Sequence, residues 1–182
     1  MHAQKLVEKA QDAADRKAWD HAIEFYLQAL DLDPDHLEAR EGIRRAELAK
    51  YEAYYPSAAS RFFSTIGSKL SASISGLTKN HEGKMKHLER VLAKDPKNVA
   101  IGLALGHAAA AAGHRNAALA AFRGVLIVDP KNLEALKGTG RALTALGGAK
   151  EALTAFEDAA RIDPRDQEAN RMRKNLAAEV SI

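Results

Sequence analysis

Seven histidines and 24 carboxylates are the side chains of this sequence best equipped for chemistry, but their spacing does not assemble a reactive centre. Two metal ligands on one helix need an i, i+4 step to leave the same face. His81 and His87 are six apart, and His107 and His114 are separated by a turn signal at Gly113. No His-Glu-x-x-His, phosphate-loop or nucleophile-elbow sequence occurs. Gly138-Thr139-Gly140 lacks the third glycine of a dinucleotide fingerprint and falls inside a helical pattern instead of after a strand. There is no cysteine, which removes thiolate ligands, thiol nucleophiles and disulfides. Carboxylates such as Asp35 and Asp166 stand where helices start, a place that backbone N–H groups alone explain. These residues predict no enzyme: no catalytic residue, no cofactor and no metal.

The elements that would carry any other function are set by a repeat. Four of the five prolines follow aspartate at the end of a helical pattern, at Asp33-Pro34, Asp95-Pro96, Asp129-Pro130 and Asp163-Pro164. Each reads as a helix stop, because proline disfavours helical backbone in the residue before it. The last three steps are 34 residues apart. Ala118, Phe122 and Val125 before Pro130 match Ala152, Phe156 and Ala159 before Pro164, and Ala22, Tyr26 and Ala29 before Pro34. Upstream lies a partner helix, in which Leu105, Gly106 and Ala109 correspond to Thr139, Gly140 and Leu143. Gly113 and the Gly147-Gly148 pair divide the helices. Each unit is a helix, a tight turn, a helix and a stop. A small residue where two helices cross lets their backbones approach, and the aromatic fills the space beneath the next unit.

This pattern resembles the tetratricopeptide repeat (TPR) family in the small residue of the first helix, the Ala and aromatic of the second, and the final Pro. Leu6, Gly102 and Leu136 occupy the place of the family's usual Trp. The resemblance covers 1–34 and 97–164, and implies an all-α fold: a right-handed α-solenoid of TPR-type helix pairs. Repeats are expected at 1–34, 97–130 and 131–164, with a degenerate repeat at 35–96. The segment from Arg165, carrying Arg171, Arg173 and Lys174, reads as a capping helix over 165–182 that closes the array.

The degenerate repeat carries about 28 extra residues relative to the 34-residue period. Leu37 to Tyr51 reads as a first helix with Arg44 where its relatives have a small residue, so looser packing is expected there. Over 57–78, Ala59, Phe62, Phe63, Ile66, Leu70, Ile74 and Leu77 fall within an arc of roughly 120° on a helix turning about 100° per residue. The other face is rich in Ser. Such a helix either packs on the solenoid or offers Phe62, Phe63, Ile66, Leu70, Ile74 and Leu77 to a lipid surface or a partner helix.

Charge bounds the partner. The net charge of +3 is too small to argue for nucleic acid, and basic residues are interleaved with acids without aromatic stacking platforms. Residues 1–50 carry 8 basic and 11 acidic side chains, net −3, against 19 and 13, net +6, over 51–182. The first residues mix His, Gln, Lys and Glu, unlike a signal peptide, and the longest uncharged apolar run, Val99 to Gly106, is far below a membrane span of roughly 20 residues. A cytoplasmic protein is expected, with a membrane-peripheral location as the alternative.

In the family the first helices line a concave surface that receives an extended peptide or a helix. The resemblance carries this over to Leu103, His107 and Ala110, to Glu134, Lys137, Arg141 and Thr144, and to Glu168, Arg171 and Asn175. Lys137, Arg141, Arg171 and Asn175 would form a basic strip for an acidic peptide. The expected function is a non-catalytic scaffold or adaptor for a protein or peptide partner, with the 57–78 helix as the basis of an alternative role at a membrane surface.

Overall fold

The structure, a computed structural model, describes residues 2–54 and 81–181. The expected helix over 57–78, with Phe62, Phe63, Ile66, Leu70, Ile74 and Leu77, lies outside the described residues. Among the described residues every regular element is an α-helix: α1 (Ala3–Asp15), α2 (Trp19–Leu32), α3 (Leu37–Tyr54), α4 (His81–Lys94), α5 (Val99–Ala112), α6 (Arg115–Val128), α7 (Leu133–Ala145), α8 (Ala149–Ile162) and α9 (Gln167–Val180). None is long and apolar enough to cross a membrane.

Local signals set the boundaries. The stops at Asp33, Asp129 and Asp163 have φ of −139°, −133° and −129°, the extended backbone that a following proline requires. Three starts repeat one cap: Asn98 accepts from Ile101 N at 3.1 Å, Asn132 from Ala135 N at 3.0 Å and Asp166 from Ala169 N at 2.8 Å. Each satisfies an N–H that the helix itself cannot. Gly113 and Gly147 close α5 and α7 with φ of 85° and 82°, and Lys17 takes the same step after α1 at 59° without the freedom of a glycine.

Consecutive helices pack from α1 to α3 and from α4 to α9, the arrangement of an α-solenoid. The joints between α5 and α8 share one device, an aromatic ring laid over glycine. Phe122 of α6 is pressed between α5 and α7, such that a Cβ on Gly106 or Gly138 would come within 2.6 Å of its ring. Phe156 lies against Gly140 in the same way, at 2.6 Å. Both rings are fully buried, and each contributes roughly 3–5 kcal/mol by the usual cost of truncating a core aromatic.

The buried apolar side chains form two clusters. One joins α1, α2 and α3 through Leu6, Val7, Tyr26 and Ala39, and the other runs from Met85 on α4 to Leu176 on α9. They meet where α3 lies across α6, with Leu37 packing on the second cluster. The rest of this seam is polar. Asp35 accepts from Ala117 N at 2.9 Å and Asn116 N at 3.3 Å, so it caps α6 from 82 residues away. Its expected place was the start of its own helix. The difference arises because the N-cap of α6, His114, makes no side-chain cap, leaving these N–H groups for Asp35. Glu41 meets Arg123 at 2.8 Å, Arg40 meets Glu89 of α4 at 2.5 Å, and Lys97 meets Glu52 at 3.1 Å.

Arg44 is the centre of the seam. Looser packing was expected there, yet its side chain is only 7% exposed. It lies over Gly124 of α6, donates to the Pro96 carbonyl and stands 3.9 Å from Glu47. Burial lowers the Arg44 guanidinium to about 10 and raises the Glu47 carboxyl to about 7, although each opposes the other's shift.

Candidate functional site

The face expected to bind is carried by α5, α7 and α9. Asn98, Asn132 and Asp166 start these helices with the same cap, so residues one repeat apart stand side by side across the array. Glu134 and Glu168 are such a pair, separated by 34 residues, with the cations of α7 between them.

These cations are not an open basic strip. Lys137 donates to Asp166 at 2.9 Å, lies 3.2 Å from Glu168 and 3.8 Å from Glu134. Arg141 reaches Glu168 at 2.7 Å and Glu134 at 2.5 Å. Two cations thus hold three carboxylates. The hydrogen bond from Lys137 to Asp166 raises the lysine's pKa despite partial burial. Burial works against the Arg141 charge, but Glu168 and Glu134 hold its pKa above the ordinary arginine value. Asp166 is lowered by the Ala169 N–H and then by Lys137. Burial opposes the charge on Glu168, yet Arg141 and Lys137 bring its carboxyl below the usual range. Two residues of the expected strip, Lys137 and Arg141, thus enter this pairing. Its physical reason is the repeat itself, which brings the acid of α9 beside the cation of α7.

His107 extends the network. Its ring lies 3.5 Å from Glu134 and meets Phe122 edge-on at a centroid distance of 5.2 Å. The buried aromatic that locks α5 to α7 therefore also supports an exposed imidazole. Leu103 is partly buried against the core, whereas Arg171 and Asn175 stand exposed on α9. The structure brings His107, Lys137 and Arg141 into one network through Glu134 and Glu168, and leaves Leu103, Arg171 and Asn175 at its margins.

Asp166 is the participant that sequence reasoning placed only as a helix start. One oxygen caps α9 and the other holds Lys137. Asn98 and Asn132 were likewise unread as caps, although they recur at the repeat spacing before Asp166. Among the described residues no group of His, Asp and Glu could hold a metal ion.

Residues 20–36, covering α2 from its second residue and the Asp-Pro stop, match the tetratricopeptide repeat family model. No curated protein sequence matches the chain. Among solved structures, MamA is similar at 14% identity and a TM-score of 0.54, covering 94% of this chain and 84% of its own. MamA of AMB-1 aligns over 98% and 82% at 19% identity and a TM-score of 0.51. YrrB, described as a TPR protein with an unusual peptide-binding site, aligns over 93% and 90% at 19% identity and a TM-score of 0.50. With its capped helix pairs and aromatic-over-glycine joints, the chain has the fold of a tetratricopeptide-repeat solenoid, and one of its repeats matches the family's model.

Proposed function

We propose that this chain is a non-catalytic interaction scaffold that receives a peptide or helix of a protein partner on the face of α5, α7 and α9. The observation that carries this reading is the ion-pair network of Glu134, Lys137, Arg141, Asp166 and Glu168, which holds charged groups in fixed positions on a partly exposed face. Such preorganised groups lose little freedom when a partner arrives. The peptide-binding site of YrrB, a protein of the same fold, supports the class of partner.

The pairing also bears on the partner's charge. An acidic peptide alone would have to displace Glu134 or Glu168 from Arg141 and face a surplus carboxylate. A segment carrying both donors and acceptors exchanges with the network at lower cost. We therefore favour a mixed-charge segment over a wholly acidic one.

The test is site-specific photo-crosslinking in extracts, with a crosslinker at position 107 on the proposed face or at Glu157, an exposed residue of α8. A partner protein captured from 107 and not from 157, with capture reduced about tenfold by Arg141→Gln, is the expected result; tenfold corresponds to about 1.4 kcal/mol. Equal labelling from both positions, or capture indifferent to Arg141, would refute the assignment.

A further inference from the structure

The first helices α5 and α7 have glycine at the crossing, as Gly106 and Gly140, whereas α3 has Arg44 at that step. Beside Arg44, a cavity of about 270 Å³ opens between α3 and α6. Arg44, Arg45 and Glu41 line it from α3, and Arg123, Ala120 and Gly124 from α6. Glycine and alanine make room: a Cβ on Gly124 would come within 2.8 Å of Arg44 Cγ and 2.9 Å of its Nε.

The cavity is short of negative charge. Three arginines and one carboxylate line it, and Arg123 and Arg45 share that carboxylate, at 2.8 Å and 3.6 Å from Glu41. Behind them, the buried Nη1 of Arg44 has no hydrogen-bond acceptor among the described residues, and the Glu47 carboxylate is 3.9 Å away. A buried guanidinium without a full set of acceptors is costly, and an added anion offsets that cost. Arginine forks suit a tetrahedral dianion, which accepts several N–H groups at once. The volume lies just below the roughly 300–1,000 Å³ of pockets for drug-sized ligands, so the occupant is small.

We propose that the cleft between α3 and α6 binds a phosphate dianion, as free phosphate, as a small phosphate ester or as a phosphorylated side chain. Binding there links the two apolar clusters, because Arg45 belongs to the helix that completes the first and Arg123 to a helix of the second. Glu41 is the internal competitor for the same guanidiniums.

Calorimetric titration of the whole chain at low ionic strength tests this, with inorganic phosphate, phenyl phosphate, and a serine peptide with and without its phosphate as probes. We expect saturable binding of one phosphate, at least tenfold weaker in Arg45→Gln/Arg123→Gln and several-fold tighter in Glu41→Gln, which removes the competing charge while keeping an acceptor. Circular dichroism of each variant establishes that the helices persist. The tightest of the probes identifies the source of the phosphate. Absence of saturable binding by all probes, heats matched by chloride at equal ionic strength, or an affinity that Glu41→Gln leaves unchanged or weakens would overturn the proposal.

Discussion

At the crossing step where α5 and α7 have Gly106 and Gly140, α3 has Arg44, and the two kinds of joint built there behave differently. The first lays Phe122 or Phe156 over a bare backbone, and the second lays a guanidinium over Gly124. The apolar joint owes its strength to area and close fit, which do not depend on the ionisation of a side chain. The seam at α3 depends on the ionisation of Glu47, on the hydrogen bonds that Asp35 accepts from α6 and on the one that Arg44 donates. One backbone plan thus yields a stretch that is permanently locked and a joint that responds to its surroundings.

The largest effect belongs to the locked stretch. Phe122→Ala should destabilise the protein by roughly 3–5 kcal/mol in urea unfolding, since it empties the space between Gly106 and Gly138. The loss should be the same at pH 5 and pH 8. A cost below about 1 kcal/mol would mean that α5 and α7 collapse onto one another and that the ring is not the lock.

A smaller and pH-dependent effect belongs to the seam. Glu47 stands at about 7 in the folded protein, above its ordinary 4.5, so between these values the folded state holds a proton that the unfolded state has released. Its contribution is fully present below about pH 4.5 and is lost as the pH rises through 7. Stability should therefore fall between pH 5 and 8 by an amount on the order of 2 kcal/mol, and Glu47→Gln should flatten that part of the curve. An identical slope in the variant would remove Glu47 from the account.

The contrast between the joints also separates what the sequence discloses from what it hides. Asp-Pro stops, glycines and aromatics recur at a fixed step, and each acts within its own helix or the next, so period alone places them. The pairing of Glu134 and Glu168 with Lys137 and Arg141 was within reach of the same reasoning, because residues 34 apart become neighbours. The strip read from Lys137, Arg141, Arg171 and Asn175 left those carboxylates out. Asp35 and Arg44 were out of reach. Their partners, Ala117 N and the Pro96 carbonyl, lie 82 and 52 residues away across an interruption of the repeat, where no period points from one to the other.

The central claim is that α1–α3 are fastened to the array through the polar seam, with Asp35 acting as the cap that α6 lacks. Amide hydrogen exchange of Asp35→Ala against wild type tests it most directly. Loss of the cap, worth about 1 kcal/mol, should speed exchange at Asn116, Ala117 and along α3 about fivefold. Protection around Phe156 should stay unchanged. Unaltered exchange at Asn116 and Ala117, or an equal loss reaching α8, would contradict the account.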